Sequence, residues 1–153
     1  MPNQQHDPYD LNRFVEAQEA TYRHALAELR AGKKRTHWSW YIFPQIKGLG
    51  SSPMSTRYAI RSLAEARAYL EHPILGPRLR ECVGVMNAHT RLSASEILGD
   101  IDAQKFRSCL TLFAQANDQA SMFGEALKKY CSGDPDAATL AILSRLQGVD
   151  GDA

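Results

Sequence analysis

A chain of 153 residues with 44% apolar and 23% charged residues has the length and composition of one globular domain that can bury its own core. A formal net charge of +1 removes any global electrostatic pull towards nucleic acid or anionic lipid. Three widely spaced cysteines, Cys82, Cys109 and Cys131, form no CxxC or CxxH pair, which points to free thiols in a reducing compartment.

The opening residues, MPNQQHDPYD, lack the apolar stretch of a secretory signal, and no run approaches the roughly 18 apolar residues of a membrane span. The expected location is cytoplasmic. Residues 1–9 read as a flexible lead-in, 10–147 as a single helical domain and 148–153 as a flexible tail. Asp10 is the expected N-cap of a first helix. Leu11, Phe14, Val15, Gln18, Tyr22, Ala25, Leu26 and Leu29 then follow one helical face up to Gly32. Gln18 is the polar exception in that stripe. It is read either as a flank position partly in water or as part of a polar site. Lys33, Lys34 and Arg35 follow, at the negative end of the helix dipole.

Residues 36–58, THWSWYIFPQIKGLGSSPMSTRY, break the pattern. Both tryptophans lie here, among glycines, prolines and polar side chains that no helical period explains. The piece 37–43 reads as a short strand or as an extended segment packed across helices. Pro44 biases Phe43 away from helix. After it, Ser51-Ser52-Pro53 opens a short helical turn. A capping box, Ser62-x-x-Glu65, starts the next helix, and Gly76-Pro77 starts another with Leu79, Cys82, Val83 and Met86 inward. Ser93-x-x-Glu96 caps a single turn, and Asp102 is the expected cap of a helix with Phe106, Cys109, Leu110 and Phe113 inward. Asn117-Asp118 ends that helix. Two more follow, through Phe123 and Tyr130 and then from Asp136 through Leu146. The fold class is mainly α, a single-domain bundle of six or seven helices with one irregular aromatic and glycine-rich segment.

That segment holds the candidate site. His37, alone among the histidines in aromatic company, is the candidate acid or base. Trp38 and Trp40 offer ring faces for stacking, although their spacing serves a core equally well. Gln45, Lys47, Gly48, Gly50, Ser51 and Ser52 have the chemistry of an anion cradle without matching a P-loop or a dinucleotide turn. With Gln18 or Gln45 orienting it, the expected ligand is a small anionic or nucleotide-like metabolite. No histidine or cysteine spacing suggests a metal, and no cofactor is expected. Lys105, Arg107 and Ser108 lie opposite the apolar stripe of their helix, either solvated or facing the loop. The competing reading is a non-enzymatic interaction domain whose aromatics are core.

The pieces RFVEAQ (13–18), HWSWYIFPQIKGLGSSPMSTRYAI (37–60), ARAYLEHPILGPRLRECV (66–83) and KFRSCLTLFAQA (105–116) resemble the bacterial domain-of-unknown-function 1810 family. The resemblance implies a small, mostly helical, single-domain fold and no established activity. The pieces at 14–18 and 51–54 are also faintly similar to the NADAR family, helical N-glycosidic hydrolases linked to ADP-ribose chemistry. That similarity would imply hydrolysis of an N-glycosidic or ADP-ribose-type substrate. This chain has Asn12-Arg13-Phe14 where that family has an acidic–histidine–tyrosine run.

Overall fold

The computed structural model describes residues 7–117 and 121–152, so residues 1–6 of the expected lead-in, Asp118 and Ala153 lie outside the described part. The chain is all helical, with ten helices and no strand among the described residues. The elements are α1 (Asn12–Glu19), α2 (Tyr22–Ala31), α3 (Ser39–Ile42), α4 (Pro53–Arg57), α5 (Leu63–Glu71), α6 (Leu75–Ala88), α7 (Ala94–Leu98), α8 (Asp100–Ala116), α9 (Met122–Cys131) and α10 (Ala137–Asp152).

The long first helix read from the sequence is two helices, parted at Ala20 and Thr21. Thr21 leaves helical geometry at φ −120°, and its hydroxyl donates back to Ala17 O at 2.9 Å. The apolar stripe continues across this break, which hides it from periodicity. Asp10 does not cap α1. It stands at φ 50°, and the Asp7 carboxylate accepts from Leu11 N at 2.7 Å and Asn12 N at 2.9 Å. Gly32 does end α2, in the left-handed conformation at φ 78°. The piece 37–43 is not a strand, since Ser39–Ile42 forms a helical turn. Asp102 sits inside the first turn of α8 rather than at its cap, which is Gly99. Likewise α6 begins at Leu75, one residue before the expected Gly76-Pro77 start.

Helix α8 is the hub and packs against α3, α5, α7, α9 and α10, while α6 closes the other side against α2, α5 and α9. Two strings of rings run through the core. Phe14, Tyr69, Phe113 and Phe123 form one, with successive centroids 5.1, 5.3 and 5.9 Å apart. Trp38, Phe43, Phe106 and Tyr130 form the other, at 6.0, 4.7 and 6.1 Å. Cys82 and Cys109 are buried among them as small hydrophobes. The second string fixes one end of the irregular segment to the hub, so whatever that segment does is done beside α8.

Candidate functional site

The entry to the irregular segment is set by one side chain on α2. The Glu28 carboxylate accepts from Arg35 N at 2.8 Å, Thr36 N at 3.1 Å, Thr36 Oγ1 at 2.7 Å and the Trp38 indole at 2.9 Å. Partial burial opposes its charge, but these donors outweigh it and hold the Glu28 carboxyl down at about 2. Trp38 is thereby pulled into the core, 1% exposed. Of the two readings of that residue, core is the one realised.

Further along, the chain is stitched at Ile46 and Ile60, an isolated parallel bridge. Ile60 N donates to Gln45 O and Lys47 N donates to Ile60 O, both at 2.8 Å. Between the stitches Gly48 takes φ 108°, closed to other residues, and a Cβ on Gly50 would meet Ser55 Oγ at 2.7 Å. Ser52 caps α4 by accepting from Ser55 N at 3.1 Å. The loop is therefore folded tightly back on the start of α4.

Three adjoining cavities surround this loop. The smallest, about 130 Å³, is walled by Trp40, Gln45, Lys47, Gly48, Gly50 and Ser55 among others. A second, about 570 Å³, uses Gln45, Gly50 and Ser55 again on one side and Ile101, Gln104 and Lys105 of α8 on the other. The third, about 530 Å³, lies across Trp40 and includes His37, Trp38, Ser39, Lys34, Asp102 and Lys105. Shared lining residues set them side by side along one face of the molecule, the cleft, and the two larger fall within the size range of small-molecule sites.

Charge in the cleft is arranged around Asp102. Lys34, whose side chain is 7% exposed, places Nζ 2.8 Å from Asp102 Oδ2 and 5.1 Å from the Trp38 ring centroid. Lys105 stands off, with Nζ 3.7 Å from Asp102 Oδ1 and 5.2 Å over the Trp40 ring. Asp136 at the far wall is fully engaged, accepting from Gln104, Thr139 N and the Thr139 hydroxyl. No group of three or more His, Cys, Asp or Glu among the described residues could hold a metal ion.

The cleft brings together His37, Trp38, Trp40, Gln45, Lys47, Gly48 and Gly50. It leaves out Ser51, which is exposed, and Ser52, which is occupied as a cap. Gln18 lies elsewhere. It is 1% exposed, donates to Tyr41 O at 2.8 Å and Tyr69 Oη at 3.2 Å, and accepts from Arg78 at 3.3 Å. It is neither a wet flank nor part of this site but a satisfied core carboxamide. His37 is exposed and lines the third cavity, not the one beneath the glycine loop. Of the three residues on the polar side of α8, Lys105 and Ser108 face the cleft, while Arg107 donates to Asp134 O at 2.9 Å. Lys34, Asp100, Ile101, Asp102 and Gln104 were not expected here. Their only sequence signal is that polar side chains interrupt the outer face of α8, and Lys34 reads locally as a helix-end charge.

The same fold is seen in a crystal structure of a conserved hypothetical protein from Mycobacterium tuberculosis, 52% identical, with a TM-score of 0.89 over 90% of this chain and 99% of that one. A search of the curated proteins found no match. Residues 8–143 match the family model described as a protein of unknown function, DUF1810. By that match, which spans nearly the whole chain and includes every wall of the cleft, the chain belongs to the DUF1810 family.

Proposed function

We propose that the cleft binds a small anionic metabolite. The glycine loop and Lys47 hold its charge, Gln45 orients it, and Trp40 forms the wall it passes. The observation that carries this reading is the shared wall. The irregular loop and the polar face of α8, distant in sequence, wall the same cavity, and it adjoins a second one beneath the glycines through Gln45, Gly50 and Ser55. Binding is the better-supported half of the reading. His37, the proposed acid or base, lies across Trp40 from the loop, and hydrolysis would require the substrate to reach both. N-glycosidic compounds related to ADP-ribose belong in the first panel on the strength of the 51–54 similarity, since Gln18 is committed to the core.

The test is a thermal-shift panel of nucleotides, NAD, ADP-ribose and simple phosphorylated metabolites. A ligand at a hundred times its Kd adds about 2.7 kcal/mol to the folded state, which moves Tm by several degrees in a domain of this size. The expected result is a shift that disappears in Lys47→Ala. A flat panel at millimolar ligand would remove the reading.

One feature favours an interaction domain instead. Ile101, 76% exposed, stands on the rim between the two larger cavities, and the Trp38 ring is core. On that reading Ile101→Ser abolishes a protein contact while Lys47→Ala changes nothing.

A further inference from the structure

The glycine-loop cavity is one end of a longer cleft, and the chemistry of the other end says what kind of ligand fits the whole. In the third cavity Asp102 is already compensated by Lys34 at 2.8 Å, whereas Lys105 is held only loosely at 3.7 Å. Lys105 is thus the less engaged of the two lysines. It faces both larger cavities at once. Ser39 lines the same end, 4% exposed, and its hydroxyl has no hydrogen-bond partner among the described residues. A buried hydroxyl without a partner is uncommon and costs stability, so it marks a place where an acceptor belongs. An incoming anionic oxygen supplies that acceptor and takes the free donors of Lys105.

The space between the two ends is of another character. It is walled by Leu49 and Ile101, with the carboxamides of Gln45 and Gln104 at its sides. Its buried acid, Asp136, is taken up at the start of α10, and the exposed Asp100 lines both larger cavities alongside Lys105. One loosely engaged lysine at each end and a mixed apolar and amide middle suit a molecule with charge at both ends and none between.

We propose that the ligand is doubly anionic, with one negative group beneath the glycine loop at Lys47 and the second held by Lys105 and the Ser39 hydroxyl. This rests on the binding reading above for its first end and adds the second. Asp102 with Lys34 then acts as a fixed neutral wall, and Lys105 as the residue that selects ligands by their second charge.

The experiment compares a hexose phosphorylated at both ends with the same hexose phosphorylated at one, by titration of tryptophan fluorescence in the full chain. The expected result is that the bisphosphate binds at least about tenfold more tightly. Lys105→Ala should bring the bisphosphate down to the affinity of the monophosphate and leave the monophosphate within about twofold. Lys47→Ala should weaken both. Ser39→Ala should weaken the bisphosphate without lowering Tm, because it removes a hydroxyl that has no partner in the free protein. Equal affinities for the two probes, or a bisphosphate preference that survives Lys105→Ala, would overturn the second end while leaving the first intact. Failure of both probes to bind at millimolar concentration would overturn both ends.

Discussion

Glu28 and Trp38, ten residues apart, are joined by a 2.9 Å hydrogen bond from the indole to a carboxylate that also caps two main-chain amides. One side chain on α2 therefore fixes where the irregular segment begins. Glu28→Gln keeps the size and offers one acceptor in place of two charged ones. The expected cost is about 1 kcal/mol, small because the group is largely solvated. The carboxyl titrates lower in the folded chain, about 2 against an ordinary 4.5, so its contribution is present in full above about pH 4.5. It is lost as pH falls through that window towards 2. Urea midpoints of wild type and Glu28→Gln should differ at neutral pH and converge in acid. A gap that widens in acid would show that another group carries the effect.

Arg13 and Glu65 form a second clamp, buried on both sides at 2.8 Å. The guanidinium also donates to the carbonyls of Tyr9, Asp10, Arg57 and Ala59, which ties the lead-in and the exit of α4 to α1. Arg13→Met would remove the side-chain donor from the Arg57 and Ala59 carbonyls and leave the fully buried Glu65 carboxylate with Arg61, half-exposed, as its remaining cation. The expected loss is about 3–5 kcal/mol by chemical denaturation. The double variant Arg13→Met with Glu65→Leu should recover part of it, since the buried carboxylate that lost its closest cation is then gone.

Gly76 lies within α6 with no room for a side chain. A Cβ there would sit 2.1 Å from Leu70 O, a main-chain atom that cannot swing aside. Gly76→Ala should force the turn between α5 and α6 apart and lower stability by about 3 kcal/mol, measured as a fall in Tm. Gly124, with nothing near its Cβ position, is the control. Gly124→Ala should be neutral or slightly stabilising within its helix.

The thiols should separate by burial. Burial pushes the Cys82 thiol up to about 12 and Cys109 well above its ordinary value, while Cys131 is half-buried and raised less severely. Since the thiolate is the reactive form, alkylation of the native chain near pH 8 should label Cys131 alone. Denaturant should be needed for the other two. Fast labelling of Cys82 in the native chain would contradict the packing of α6 described above.

The local features of this fold were legible and the long-range ones were not. Ser93 and Glu96 form the full capping box that their spacing announces. Ser62 caps α5 as read, but Glu65 spends its carboxylate on Arg13 and Arg61 instead of closing the box. That exchange depends on a partner 52 positions away. Asp10 looks suited to cap α1, but it takes a positive φ, and the first amides are met by the Asp7 carboxylate instead. At the cleft, seven residues of one contiguous stretch were recognisable by their chemistry. Of the opposite wall, Lys105 and Ser108 were open to that reading but not decided by it, because Lys105 meets Trp40 through the packing of α3 on α8. Gln18 misleads for the same reason. A carboxamide in an apolar stripe signals a polar contact, but not whether that contact is a ligand or the Tyr41 carbonyl.

The pairing of Ile46 with Ile60 has a consequence for how this protein can vary. Because the ends of the glycine loop are already joined, its interior is a cassette whose length is nearly independent of the scaffold. Doubling such a loop adds only about 0.6 kcal/mol of closure entropy. The exposed positions between the stitches, apart from Gly48, Gly50 and the 57–59 anchor held by Arg13, can thus be exchanged or lengthened to reshape one side of the cleft while the helical frame keeps its stability. A library built there would alter what the cleft accepts before it altered whether the chain folds.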